Sequence, residues 1–222
     1  MKAALRNIVA HTYKPLLVRY LSKTRVYKYA DIRLLIPPEV FHPGFFFSTR
    51  LLLNHIRQLP LRGKKMLEPG CGSGLISLYA AKKGAFVTAT DINPVAVDFI
   101  RKNSEVNSID LTIIQSDLFT AIPAQQFDII AINPPYYKKQ PLTAKDYAWF
   151  CGENGEYFET LFKGLKNYIH PQSEVYMILC EGCDLEMIEN IALQNGFHLM
   201  LVQTHKNMLE KNFIYKLNAW IN

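Results

Sequence analysis

From Lys65 to the end of the chain, short apolar runs alternate with segments of helical period, and this limits the possible folds more than any other feature. Lys65–Glu68, Phe86–Asp91, Leu111–Gln115, Phe127–Ile132 and Glu174–Cys180 read as strands. Leu75–Lys83, Val95–Asn107, 156–169 and 184–195 read as helices between them. Strands that alternate with helices build a mostly parallel sheet covered on both faces. The last two strands, His198–Thr204 and Phe213–Ala219, are joined by His205–Asn212 alone. That is too short for a crossover helix, so they are expected to be antiparallel neighbours. The pattern predicts an α/β, Rossmann-like sheet with helices on both faces.

The preceding chain is of another kind. Residues 3–22 carry apolar positions at helical spacing, interrupted at Pro15. Residues 25–42 read as extended and aromatic, and 48–58 as a helix with Ser48 or Thr49 at its N-cap. Charge separates this region further. Residues 1–33 hold eight Lys or Arg against Asp31, a net +7 in a chain of +6, which leaves the remainder at −1. A basic N-terminal extension over 1–36 is therefore expected, followed by a near-neutral domain over 37–222. The extension suits phosphates or an acidic partner, or is a solvated helical face. No apolar run approaches the ~20 residues that span a bilayer, and the N-terminus shows no apolar core followed by a cleavage site. A cytoplasmic protein without membrane contact is expected. Four cysteines fit a reducing compartment. Cys180-Glu181-Gly182-Cys183 has C-x-x-C spacing, but two further zinc ligands at comparable spacing are not evident, so it reads as a strand end entering a turn. No metal is expected.

Chemistry concentrates where strands end. Gly70-Cys71-Gly72-Ser73-Gly74 lies between the first strand and its helix. Glycines permit positive φ and close approach of a ligand to the backbone. A dinucleotide-binding G-x-G-x-x-G needs glycine at the position of Leu75, so the loop suits a ligand without phosphates. Asp91 ends the second strand, where an acid can accept both hydrogens of a ribose diol, and it can also cap a helix entered at Pro94. Asp117 follows the third strand, placed to accept from an exocyclic amine, with Ile92, Leu118 and Phe119 to sandwich a flat ring. The fourth strand runs into Asn133-Pro134-Pro135-Tyr136. Two prolines fix φ and remove donors. The Asn133 side-chain oxygen and the Pro134 carbonyl are left as acceptors able to hold both hydrogens of an –NH2 group. Such acceptors strengthen as a planar nitrogen becomes tetrahedral and positive, and Tyr136 can stack on a flat substrate group.

These residues, in this order and spacing, resemble the class I S-adenosylmethionine-dependent methyltransferases, and within them the small-domain branch with an N-P-P-Y motif that methylates planar nitrogens. The resemblance spans roughly residues 37–220. It implies a seven-stranded sheet with an antiparallel last strand. It also implies S-adenosyl-L-methionine as cofactor, with Glu68 and the loop glycines Gly70, Gly72 and Gly74 at its methionine end. Asp91 would meet the ribose, Asp117 the adenine with Ile92 and Leu118 beside its ring, and Asn133 with Pro134 and Tyr136 the target nitrogen. Gly152-Glu153-Asn154-Gly155-Glu156-Tyr157-Phe158 is similar to a segment of the release-factor glutamine methyltransferases, which implies a protein substrate, a release factor among them. Val40–Thr49 is instead similar to the corresponding segment of small-domain enzymes acting on ribosomal or transfer RNA, so a nucleic-acid base, adenine N6 or guanine N2, stands as the alternative. A cofactor-binding module without catalysis is the third reading. At least one of Phe45, Phe46 and Phe47 is expected to line the pocket. The oligomeric state is left open.

Overall fold

A computed structural model describes residues 19–45, 47–143, 145–206 and 210–220. Most of the helical stretch expected over 3–22 lies outside the described residues. The described chain opens with a hairpin, β1 (Arg25–Tyr29) and β2 (Ile32–Ile36), turned at Ala30 with φ 50°. Helix α1 (Phe47–Ile56) leads to β3 (Lys65–Pro69), α2 (Leu75–Lys82), β4 (Phe86–Asp91), α3 (Pro94–Asn107), β5 (Thr112–Gln115) and β6 (Ile129–Ile132). Helix α4 (Glu156–Leu165), β7 (Glu174–Cys180), α5 (Leu185–Gln194), β8 (Phe197–Lys206) and β9 (Lys211–Ala219) complete it.

The main sheet has seven strands in the order β5-β4-β3-β6-β7-β9-β8. Strands β3 to β7 are parallel, and β9 runs antiparallel between β7 and β8. The expected sheet with its antiparallel last strand is present. Its faces are read from side-chain parity, since successive residues of a strand point to opposite sides. Met66, Ile129, Ala131, Tyr176, Ile178 and Ile214 join one core cluster with residues of β2, α1 and α2. Their neighbours Leu67, Ile130, Ile132, Met177 and Tyr215 join another with residues of α4 and α5. Each helix buries one stripe. Phe158, Leu161, Phe162 and Leu165 of α4 follow the three- and four-residue spacing of a single face. The helix expected over 156–169 ends earlier, at Leu165, and passes through a 3-10 turn at Lys166–Tyr168 before Ile169 turns extended.

Residues 25–36, read from sequence as part of the basic extension, are packed on the domain. Ile32, Leu34 and Ile36 share the core of α1 and α2. The free edge of β2 is satisfied by two asparagines four residues apart on α3. Asn107 Oδ1 accepts from Arg33 N at 2.8 Å and its Nδ2 donates to Arg33 O at 2.7 Å, while Asn103 accepts from Leu35 N at 2.7 Å and donates to Leu35 O at 3.1 Å. Asn103 is fully buried and also donates to Ser73 O at 3.3 Å, which joins the hairpin to the glycine loop. Among the described residues no helix is long and apolar enough to cross a membrane.

Candidate active site

The strand order reverses between β3 and β6, and the carboxyl ends of strands at such a switch point border the crevice where open α/β sheets bind ligands. A cleft of about 1100 Å³, counting its open mouth, lies there. Glu68, Gly70, Gly72, Asp91, Ile92, Asp117, Leu118, Asn133, Pro134 and Tyr136 all line it. The sequence placed them on four separate strand ends, and the parallel register brings those ends together.

The loop is built around Asp91. Its carboxylate accepts from Gly72 N at 2.8 Å and from Asn93 N at 2.9 Å. Burial raises the Asp91 pKa, and the two backbone N–H groups act against that rise. Asn93, not Asp91, caps α3: its Oδ1 accepts from Val95 N at 3.0 Å, beside Pro94 at the first helical position. Gly70, Gly72 and Gly74 have φ of 69°, 53° and 76°, the left-handed region that favours glycine. Gly74 is not among the lining residues. It precedes α2, where an added Cβ would lie 2.5 Å from Ile100 Cδ1, so glycine here lets α2 and α3 approach.

Glu68 is 4% exposed. One carboxylate oxygen, Oε2, accepts from Ser77 N at 2.8 Å and from the Ser77 hydroxyl. Burial pushes the Glu68 carboxyl up to about 8, against the hydrogen bonds from Ser77 and with a further rise from Asp91. A carboxyl so placed is short of positive charge, which an ammonium group would supply. Asp117 is exposed at the rim, near Tyr157. Burial first, then the charges of Asp91 and Asp117, raises the Tyr157 phenol well above its ordinary value, so it stays protonated. Buried carboxylates, glycines that leave room at the backbone, and apolar walls from Ile92 and Leu118 fit an amino-acid tail, a ribose and a flat ring in that order.

Asn133 leaves β6 half-buried, and its Nδ2 donates to Thr49 Oγ1 of α1 at 3.2 Å. An asparagine amide offers donors on one side and an acceptor on the other. With Nδ2 held by Thr49, Oδ1 is left for the cleft. Past Tyr136 the chain folds back as a flap: Tyr137 N donates to Trp149 O and Cys151 N to Tyr137 O, both at 3.0 Å. Trp149 meets Phe41 across the cleft, ring centroids 5.1 Å apart.

Thr49, Phe41, Trp149 and Tyr157 line the site without having been singled out for it. Nothing local marks them, since each comes from a segment whose approach depends on the packed fold. The expectation for the phenylalanine trio is tested at two of its three positions. Phe45 packs on Tyr20 and His42, Phe47 is exposed at the start of α1, and neither lines the cleft; Phe46 lies outside the described residues. Among the described residues of this region, the aromatic that lines the cleft is Phe41.

The model of the methyltransferase small domain matches residues 31–151. A Methanocaldococcus jannaschii protein, provisionally named a protein N5-glutamine methyltransferase, is 35% identical over 195 residues, covering 85% of this chain and 95% of that one. The ribosomal protein L11 methyltransferase of Burkholderia thailandensis is 40% identical over 100 residues, 45% of this chain, which spans only 32% of that relative. Among solved structures, a T. thermophilus 16S rRNA N2 guanosine methyltransferase with AdoMet and guanosine aligns at TM-score 0.64 and 20% identity, over 87% of this chain and 50% of that one. An E. cuniculi complex responsible for methylating a translation termination factor aligns at TM-score 0.64 and 19% identity, over 82% and 99%. At those identities the structural likeness is one of fold. Family model, near-full-length relative and cleft agree: the chain belongs to the methyltransferase small-domain family and is an S-adenosylmethionine-dependent methyltransferase.

Proposed function

We propose that this enzyme methylates a planar nitrogen, the side-chain amide of a glutamine in a protein substrate. The observation that carries the substrate is the M. jannaschii relative, matched over 95% of its length. The RNA-acting structural neighbour is matched over half of its chain and at 20% identity. The complex that methylates a termination factor is matched over 99% of its chain, which is consistent with a factor of that kind as substrate and with a partner protein.

When bound, S-adenosylmethionine supplies an electrophilic methyl group. Glu68, Asp91 and Asp117 hold its ammonium, ribose and adenine ends. Asn133 Oδ1 and the Pro134 carbonyl accept the two hydrogens of the substrate amide, and Tyr136 packs on its plane. An amide nitrogen is a poor nucleophile because its lone pair is delocalised. Acceptors that strengthen as the nitrogen turns tetrahedral and positive lower the barrier selectively. The nitrogen ends with one new bond to the methyl carbon, whose bond to sulfur is broken to leave a neutral thioether, and one amide proton passes to solvent.

The test is transfer of a radiolabelled methyl group from S-adenosylmethionine into protein and RNA fractions of a cell extract. The expected label is in protein, resists ribonuclease and is released as methylamine by acid hydrolysis. Label in a ribonuclease-sensitive fraction refutes the glutamine reading and establishes base methylation. In that case substrate binding also falls steeply with salt.

A further inference from the structure

Charge is separated between the two ends of the sheet. Glu39, Glu68, Asp91 and Asp117 line the cleft, and no Lys or Arg is among its described lining residues. The opposite end, about 17 Å away along the five residues of β3, carries cations. Arg62 precedes β3 and Lys83 follows α2, and both line an open depression with Arg57, Tyr79 and residues 59–61, none of them an acid. Tyr79 joins this depression to the hairpin. Its ring meets that of Tyr29 with centroids 6.4 Å apart, and Lys82, one turn further along α2, pairs with Asp31 at 2.6 Å. That pair neutralises the only acid among residues 1–33. On the outer face of the hairpin Lys28 stands opposite Arg33. The Arg33 N–H and C=O bond Asn107 and not β1. Lys28 and Arg33 are therefore a non-hydrogen-bonded pair, whose Cα atoms approach to about 4.5 Å. Both are exposed, whereas Ile32 and Leu34 on the inner face are buried. Like charges directly opposite one another destabilise a strand pair. Among the described residues no acid pairs with Lys28, Arg33, Arg57, Arg62 or Lys83. Arg57 and Lys83 each follow a helix C-terminus, where a cation is favourable by itself; Lys28 and Arg33 have no such reason. Protein–protein interfaces are depleted in lysine, whereas nucleic-acid interfaces are strongly positive.

We propose that this end of the sheet is a docking surface for a nucleic-acid backbone, with Lys28 and Arg33 straddling one phosphate and Arg57, Arg62 and Lys83 meeting others. A phosphate between Lys28 and Arg33 turns their repulsion into attraction for a shared anion. Contacts of this kind read charge and not sequence. The acids of the cleft oppose the same backbone, so it is held away from the reacting centre and the cleft stays open. The enzyme then meets its methyl acceptor while attached to a nucleic acid, which suits a protein acceptor carried in a ribonucleoprotein. The docking goes beyond the glutamine reading and does not use the identity of the acceptor.

A fluorescein-labelled single-stranded RNA of mixed sequence is titrated with the full chain between about 50 and 200 mM salt, and binding is read as anisotropy. Neither cofactor nor methyl acceptor is present. Affinity is expected to fall linearly with salt on logarithmic axes, with a slope of about 0.7 per phosphate contact. Lys28→Gln with Arg33→Gln removes two such contacts, so over this range wild-type affinity drops about sevenfold more than that of the variant. The denaturation midpoint of this variant at low salt is expected at or above that of wild type, because a repulsive pair is gone; a lower midpoint shows the pair to be structural and overturns the inference. Arg57→Gln with Arg62→Gln and Lys83→Gln lowers the slope likewise, whereas Lys139→Gln with Lys145→Gln on the flap leaves it unchanged. DNA of the same sequence displaces the RNA, and polyglutamate of equal charge does so far less well. Absence of binding at the lowest salt, a wild-type slope in the hairpin and depression variants, loss of binding in the flap variant alone, or equal displacement by polyglutamate overturns the inference. Each of these outcomes leaves the glutamine reading untouched, since no acceptor is present, and methyl label found in RNA strikes that reading alone.

Discussion

Asn133→Ala separates catalysis from folding because the two effects have different sizes. Among the described residues, the side chain makes one hydrogen bond, to Thr49 Oγ1 at 3.2 Å. A neutral hydrogen bond of this kind contributes about 0.5–1.5 kcal/mol, so the loss in stability is of that order. In the proposed reaction, Oδ1 is one of two acceptors on the reacting nitrogen. Removing one group that stabilises a transition state costs roughly 10²–10³ in rate, or about 2.7–4 kcal/mol. Cofactor binding rests on other strand ends and stays close to wild type. Thr49→Val should fall between. It keeps Oδ1 but frees the amide to rotate, and losing about 0.5–1.5 kcal/mol of orientation slows transfer by about two- to tenfold. Asn133→Asp keeps an acceptor and should exceed Asn133→Ala. The assay is rapid-quench single-turnover transfer at saturating S-adenosylmethionine, with calorimetry for cofactor affinity. Transfer by Asn133→Ala within threefold of wild type, in folded protein with intact affinity, refutes the role of Asn133 in holding the target nitrogen.

Other expectations follow from the same site. Asp91→Ala should weaken S-adenosylmethionine binding by about 1.5–3 kcal/mol, the worth of a hydrogen bond to a charged group; unchanged affinity by calorimetry in a folded variant removes Asp91 from the site. Glu68, held up to about 8 without cofactor, should ionise beside a bound ammonium. At pH 7 binding then expels a proton, affinity rises with pH toward 8, and binding heats depend on the ionisation enthalpy of the buffer; buffer-independent heats contradict this. The sign for stability is opposite: a carboxyl raised in the fold favours the cofactor-free protein below its unfolded value, and that contribution is lost as pH rises through about 8. Gly74→Ala combines a left-handed residue with a 2.5 Å approach to Ile100, and should cost at least the ~1–2 kcal/mol of the backbone conformation alone, read as a lower denaturation midpoint. Deleting residues 1–24 leaves the hairpin and its asparagine contacts, so cofactor binding should persist while substrate methylation falls; a truncated chain that does not fold shows that the segment is structural.

The sequence by itself determined the local elements and the chemistry at their ends. Alternating apolar runs define β3 to β7, because burial on both faces demands apolar residues at nearly every position. The glycine loop, Asp91, Asp117 and Asn133-Pro134-Pro135-Tyr136 are legible because special backbone conformations and strand-end polar groups need particular residue types at fixed spacing. The antiparallel sense of the last strand follows from a connection too short to cross over. Tertiary structure alone decided which distant segments meet. The insertion of β9 between β7 and β8 is a choice of strand partner, which the period of two along a strand does not encode. The hairpin read as an extension became part of the core because Asn103 and Asn107 satisfy its edge from α3, a match between backbone groups and amides about 70 residues away. Thr49, Phe41, Trp149 and Tyr157 reach the cleft by packing, and as isolated residues they are ordinary. Local pattern fixes what each segment can be, whereas the contacts that orient Asn133 exist only once α1 lies against β6.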